Sequence, residues 1–103
     1  MRNPALHIAV VLAFCGGGAA GFAQDVKNGQ RLSEHWCSEC HAIGPDPGQT
    51  SRVISFAAIA ARQDITSEMI SSFLLMPHST MPNHPLRLKD ARDIAAFIIG
   101  MKR

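Results

Sequence analysis

Two cysteines and a histidine make up the most reactive cluster of residues in this sequence. Cys37, Cys40 and His41 lie in the stretch CSECH, so two thiols three residues apart are followed at once by an imidazole. Such a group can bind zinc, exchange a disulfide or attach a haem. Each chemistry requires different residues elsewhere in the chain, and those residues separate the three hypotheses.

The sequence lacks the further residues or elements that two of these chemistries require. A structural zinc site needs four ligands, usually supplied as two pairs. Beyond the motif the candidate ligands are His35, His78 and His84, and they form no second cluster with the spacing of a zinc finger. A dithiol of the thioredoxin type would need a βαβ context, but no stretch of alternating polar and apolar residues predicts a strand.

Covalent haem attachment fits the motif best, because C-x-x-C-H is the signature of c-type haem attachment. Cysteines three apart aim both sulfurs at one edge of the macrocycle, and the next residue places its imidazole beneath the iron. We therefore expect one covalent haem c held by Cys37 and Cys40, with His41 as the proximal iron ligand. The other nitrogen of a metal-bound imidazole usually donates to a backbone carbonyl, so His41 requires such an acceptor.

A distal iron ligand is expected opposite the histidine, and methionine or histidine can provide it. Met81 lies in a polar loop, STMPN, where an apolar side chain has little reason to occur unless it points inward, and neighbouring prolines stiffen that loop. Met76 is the runner-up, because it ends the apolar run FLLM and is more typical of a core residue. The other candidates are expected in the core (Met69, Met101) or in solvent (His78, His84). Met81 is therefore the predicted distal ligand.

Residues 1–23 have the three parts of a secretory signal peptide. A basic start with Arg2 precedes an apolar stretch, and small residues at Gly21 and Ala23 suit cleavage after Ala23. Glycines interrupt the apolar stretch, which is shorter than the ~20 residues of a membrane span; retention as an uncleaved anchor stays open. A lipoprotein cleavage box would have a small residue directly before its cysteine, whereas Phe14 precedes Cys15. We therefore expect Cys15 to be an ordinary apolar residue of the signal peptide. We expect export to the periplasm as a soluble protein.

Residues 24–103 would form one domain of 80 residues. Nine lysines and arginines balance eight acidic residues there, which gives no indication of nucleic-acid binding. A core of this size contributes only about a few kcal/mol, and small domains usually need a further staple. Two cysteines three apart are not a disulfide framework of the usual kind. A buried haem would stabilise the fold instead, and the haem-free chain is expected to be largely unfolded.

Four short helices are predicted, separated by loops rich in proline and glycine. They cover about residues 25–36, 54–61, 67–76 and 89–101. Apolar residues are expected to collapse around the haem as a core: Leu32, Phe56, Ile59, Ile70, Phe73, Leu74, Leu86, Ile94, Phe97 and Ile98. The chain is thus predicted to be all-α.

In their order and spacing these motifs resemble the class I monohaem cytochromes c of the small, soluble, bacterial periplasmic type. The resemblance covers residues 24–103 and includes Gly29 eight residues before the first haem cysteine, the CSECH motif, Met81-Pro82 and Phe97 in the last helix. It implies a class I cytochrome c fold of about four short helices around one haem, with Gly29 packed closely against the C-terminal helix. It also implies a monomeric electron carrier and not an enzyme.

The resemblance further implies redox proteins as partners. A periplasmic dehydrogenase or reductase would be the electron donor, and an oxidase or another cytochrome the acceptor. Neither nucleic acid nor a stable membrane span after signal cleavage is expected. Two alternatives stay open. A labile Met81 loop would let the protein bind small ligands, as a sensor or a weak peroxidase, or the chain would be the haem subunit of a larger periplasmic oxidoreductase.

The sequence departs from the family pattern in two places. Relatives often have a proline whose carbonyl accepts the proton of the proximal histidine. Here Ile54 stands before the Ser-Phe pair, and Pro45 and Pro47 are also available. The chain contains no tyrosine, so the contact that tyrosine usually makes to a propionate or near the methionine sulfur would fall to one of three residues: Trp36, Arg52 or Asn83.

Overall fold

A computed structural model describes residues 24–50, 52–76 and 80–102 of the 103-residue chain. These ranges form four helices and no strand: α1 Val26–Trp36, α2 Phe56–Ala60, α3 Ser67–Leu75 and α4 Leu88–Ile99. The all-α prediction is confirmed, and each helix lies at or close to its predicted bounds. The predicted signal peptide and His78 lie outside the described residues. Within the described ranges, no helix is long and apolar enough to cross a membrane.

Polar side chains fix the start of each helix. Asp25, Ser55 and Thr66 precede α1, α2 and α3, and each accepts a hydrogen bond from the backbone N–H three residues later, at 3.0–3.1 Å. Such a cap satisfies one of the N–H groups that the first helical turn leaves free and stabilises by about 1 kcal/mol. Helix α4 begins differently, because the N–H and Nε of Arg87 both donate to Asp90, at 3.3 and 3.1 Å.

Helices α1 and α4 cross at Gly29, where the space admits no side chain. An ideal Cβ on Gly29 would lie 2.0 Å from the carbonyl oxygen of Asp93 and 3.0 Å from the backbone nitrogen of Ile94. Only glycine lets two backbones approach this closely. The predicted close packing of Gly29 against the last helix is confirmed.

Asp93 forms a buried polar cluster at the same crossing, with a side chain only 1% exposed. Its carboxylate accepts hydrogen bonds from the N–H of Asp25 at 2.8 Å, from Asn28 Nδ2 at 2.8 Å and from Lys89 Nζ at 2.6 Å. Burial alone would raise the pKa of Asp93, but these hydrogen bonds outweigh it and hold the pKa below its ordinary value. The carboxylate is therefore a charged link between α1 and α4.

The core forms where α4 packs against the other three helices. Most predicted core residues are found there. Those buried are Phe56, Ile70, Ile94 and Ile98, and those partly buried against them are Leu32, Ile59, Leu74, Leu86 and Phe97. Met101 is also partly buried against the core, as predicted.

Three core predictions on and just beyond α3 are wrong. Met69, Phe73 and Met76 are 54%, 49% and 56% exposed. The reason is the rotation of α3 about its axis. Ile70 and Ser71 are buried, whereas the three exposed residues follow one another at spacings of four and three, along the neighbouring flank of the helix.

Candidate haem site

The CSECH motif forms a tight turn directly after α1. The carbonyl oxygen of Cys37 accepts hydrogen bonds from the N–H of Cys40 at 3.2 Å and from the N–H of His41 at 2.9 Å. The N–H of Cys37 in turn donates to the carbonyl of Ser33 in α1, at 2.9 Å. The motif therefore extends the last turn of the helix, and one short stretch of backbone positions both thiols and the imidazole.

The two cysteines are free thiols in different surroundings. Cys37 is 6% exposed and belongs to the core cluster, whereas Cys40 is half-buried. Burial raises the pKa of the Cys37 thiol to about 11. Disulfide exchange requires a thiolate, so a thiol this well protonated is poorly suited to redox exchange. Its apolar setting suits attachment to an apolar macrocycle better.

A backbone carbonyl orients the His41 ring. Its Nδ1 lies 2.6 Å from the carbonyl oxygen of Ile54. Because a carbonyl oxygen can only accept, Nδ1 carries the proton and donates it. The lone pair is then on Nε2, which is the nitrogen available to a metal. Of the three candidate acceptors Ile54 fills the role, while Pro45 and Pro47 lie exposed in the preceding loop.

Neighbouring contacts hold this carbonyl in place. On one side of it the N–H of Val53 donates to the carbonyl of Cys40 at 3.3 Å, and on the other the N–H of Phe56 donates to the carbonyl of Ala42 at 2.9 Å. The Phe56 side chain is 3% exposed, and its ring centroid lies 5.3 Å from that of the histidine. The acceptor and an apolar wall for the imidazole therefore come from the same short segment.

The two candidate distal methionines differ in their settings. Met81 is half-buried in the segment that leads into α4. Met76 is 56% exposed and caps the end of α3, where its N–H donates to the carbonyl of Ser72 at 3.1 Å. Burial of the side chain favours Met81, and its role as distal ligand stays a prediction.

Three aromatic rings meet beside the motif. The centroids of Trp36 and His84 lie 5.0 Å apart with the ring planes 36° apart, and His35 meets Trp36 edge-on at 4.5 Å and 84°. His84 was predicted to be a solvated loop residue, but it is half-buried, so that prediction is wrong. The contact joins the end of α1 to the stretch before α4 that carries Met81. Residues this distant in sequence give no local signal that would reveal it.

An open cavity of about 400 Å³ lies beside the motif and is lined by residues 38–44, 49, 50 and 52. Of the three residues considered as replacements for tyrosine, Arg52 lies on the wall of this cavity. Trp36 contacts His84, and Asn83 is exposed. Of the three candidates, Arg52 is therefore the one that lines the same cavity as Cys40 and His41.

The donor set fits a c-type haem. Two free thiols have the attachment spacing, one imidazole presents Nε2, and Phe56 provides apolar surface next to it. The residues that would hold the group are Cys37, Cys40 and His41. In the part of the chain that the structure describes, no three His, Cys, Asp or Glu side chains come together to hold a metal ion.

Similarity to a known protein decides the family. No family model and no solved structure matches the chain. The chain is 40% identical over 96 residues to cytochrome c-552 from Bradyrhizobium diazoefficiens, and the match covers 92% of each chain. The protein belongs to the small monohaem c-type cytochromes. This cytochrome is therefore a haem-dependent electron-transfer protein and not an enzyme.

The structure of the cytochrome brings together three of the four predicted site residues. Cys37, Cys40 and His41 share one turn of backbone, while Met81 lies on a separate segment. Sequence reasoning missed the ring contact at Trp36 and left the acceptor for the histidine open. The one sequence signal for the acceptor was the position of Ile54 directly before the Ser-Phe pair.

Proposed function

We propose that this cytochrome is a periplasmic electron carrier that binds one haem c covalently through Cys37 and Cys40, with His41 and Met81 as axial iron ligands. The haem, when bound, supplies the iron that takes up and releases one electron. The hydrogen bond from His41 Nδ1 to the carbonyl of Ile54 carries the proposal, because it leaves Nε2 as the nitrogen available to iron.

His41 is suited to act as a fixed proximal ligand. Donation from Nδ1 to a carbonyl makes the imidazole a better electron donor through Nε2. The adjoining ring of Phe56 and the turn at Cys37 limit rotation of the histidine. A ligand held in one orientation changes little when the iron gains or loses an electron, which favours rapid transfer.

Met81 would occupy the second axial position. Its side chain is half-buried, and Pro82 and Pro85 restrict the backbone around it. A methionine ligand raises the reduction potential of haem iron. With both axial positions filled by the protein there is no vacancy for a substrate, so electron exchange is the remaining activity.

Localisation and partners follow from the rest of the sequence. Export would depend on residues 1–23, which lie outside the described ranges. A donor such as a periplasmic dehydrogenase or reductase, and an acceptor such as an oxidase or another cytochrome, would bind the monomer transiently. The exported domain has nearly balanced charge, which favours docking through apolar contacts over long-range electrostatic steering.

The test is the visible spectrum of the ferric protein, produced with its own leader alongside haem-maturation machinery. Ferric iron bound by methionine gives a weak charge-transfer band in the far red. We expect this band in the wild type, its loss in Met81→Ala and its retention in Met76→Ala. Met76 is the matched control, because both methionines precede a proline.

Each other outcome has a definite meaning. Loss of the band from Met76→Ala alone would transfer the role of distal ligand to Met76. Attached haem without the band in the wild type would favour the alternative of a labile loop and a small-ligand-binding protein. A polypeptide without covalent haem would overturn the proposal, and recovery from the cytoplasmic fraction alone would overturn the periplasmic role.

A further inference from the structure

The ring contact between Trp36 and His84 links the two parts of the site that lie apart in the sequence. Trp36 directly precedes Cys37, and His84 lies three residues after Met81. We propose that Trp36 and His84 are positioning residues that hold the Met81 segment, residues 80–86, against the end of α1 and so keep Met81 at the iron. This inference rests on the proposed methionine ligation and deepens it.

The geometry of the contact suits an attractive pair. A centroid separation of 5.0 Å and an angle of 36° between the ring planes fall within the range in which aromatic rings attract one another. Trp36 also packs against the core cluster. The core therefore holds the indole in place, and the His84 ring packs against it.

Within the described ranges, the Met81 segment has few other attachments. The one backbone hydrogen bond that it makes there is local, from the N–H of Leu86 to the carbonyl of His84 at 2.8 Å. Leu86 also packs against the core. Among the residues that the structure describes, no hydrogen bond or ion pair joins residues 80–86 to a helix. Pro82 and Pro85 stiffen the segment but have no N–H with which to anchor it.

Loss of the ring contact would leave the segment held by Leu86 and by the bond from Met81 to iron. The bond would then break more easily, because the freed segment gains conformational freedom when it moves away. An aromatic pair is worth roughly a two- to tenfold change in an equilibrium constant. We therefore expect the concentration at which an added ligand displaces Met81 from the iron to fall by about that factor when the ring contact is lost.

The experiment measures displacement of the methionine by added imidazole, followed as loss of the far-red band of the ferric holoprotein at fixed pH. In His84→Ala we expect half-displacement at an imidazole concentration roughly fivefold lower than in the wild type. His84→Phe keeps a ring against Trp36 and should restore the wild-type value to within about twofold. His35→Ala is the matched control, because His35 contacts the same indole but does not belong to the Met81 segment; we expect the wild-type value.

The other results separate failure of this inference from failure of the proposed function. Equal imidazole concentrations for His84→Ala and the wild type, with the band present in both, would overturn the positioning role and leave methionine ligation standing. A His84→Phe variant as easily displaced as His84→Ala, or an equal effect of His35→Ala, would also overturn it. Absence of the band from the wild type would instead refute the methionine ligation itself. Loss of the band from His84→Ala before imidazole is added, with the band retained in His84→Phe, is the expected effect in stronger form.

Discussion

The Nδ1 atom of His41 lies 2.6 Å from the carbonyl oxygen of Ile54. The acceptor is a backbone group, and every residue type carries the same carbonyl. The hydrogen bond therefore depends on the course of the backbone, which the contacts of Val53 and Phe56 hold on either side. A proline is often found at this place in the family that the sequence resembles, and isoleucine can serve here because its backbone carbonyl is an equally good acceptor.

Substitutions of the Ile54 side chain should therefore leave the haem site intact. Ile54 is 41% exposed, so Ile54→Ala removes little buried surface, and we expect a loss of less than about 1 kcal/mol in the free energy of unfolding. The reduction potential, measured by spectroelectrochemical titration, should stay at the wild-type value in Ile54→Ala and in Ile54→Pro. A clear change of potential in Ile54→Ala would show that the side chain, and not the carbonyl, controls His41.

The crossing of α1 and α4 should not tolerate a side chain at Gly29. A methyl group there would lie 2.0 Å from the carbonyl oxygen of Asp93, a backbone atom that cannot rotate away. We expect Gly29→Ala to destabilise the holoprotein by about 2 kcal/mol or more, because the helices must move apart. Denaturant unfolding measures this. Gln30→Ala, at the next and exposed position, should change stability by less than about 0.5 kcal/mol, and equal effects of the two substitutions would contradict the close approach.

Phe56 should contribute to stability as a buried ring at the site. It is 3% exposed, with its centroid 5.3 Å from that of His41 and 6.3 Å from that of Phe97. Phe56→Ala should cost roughly 3–5 kcal/mol in unfolding free energy, and Phe56→Leu less, because leucine fills part of the cavity. Leu88 is 51% exposed, so Leu88→Ala serves as control and should cost less than about 0.5 kcal/mol. A loss of similar size at both positions would show that burial of Phe56 matters little.

The parts of the fold that could be predicted from sequence are those set by neighbouring residues. Apolar periodicity locates the helices, because a helix and its first hydrogen bonds, such as those to Asp25 and Thr66, involve residues within one turn of each other. The spacing of the CSECH motif is local in the same way. The close packing of Gly29 was predicted through the family resemblance, since one glycine in a helix does not by itself identify what approaches it.

The parts that could not be predicted depend on contacts distant in sequence. The carbonyl of Ile54 has no side-chain signature, and the pairing of Trp36 with His84 depends on where the segment before α4 comes to lie. Phe73 was misplaced for a different reason. The run FLLM is apolar on every side of the helix, so its periodicity does not show which flank faces α4.

The buried carboxylate of Asp93 should make the stability of the cytochrome sensitive to acid. Its pKa in the folded protein lies below the ordinary value, because the hydrogen bonds from Lys89, from the N–H of Asp25 and from Asn28 outweigh the effect of burial. The unfolded chain therefore binds a proton at a higher pH than the folded chain does. The contribution of Asp93 to stability is complete above the ordinary pKa of about 4 and is lost as the pH falls through the lowered folded value.

Replacement of Asp93 by asparagine tests how much the charge contributes to stability and in which direction that contribution changes with pH. Asp93→Asn keeps the shape of the side chain but removes the charge that Lys89 and Asn28 contact, so we expect a loss of about 1–3 kcal/mol in unfolding free energy at neutral pH. The loss relative to the wild type should shrink as the pH falls below about 4, because the unfolded wild-type chain then binds a proton that the folded carboxylate takes up only at lower pH. Denaturant unfolding of both proteins across this range gives the difference, and Asp64→Asn, at an exposed position, should show none. A difference between Asp93→Asn and the wild type that stays constant with pH would mean that shape, and not charge, carries the contact between α1 and α4.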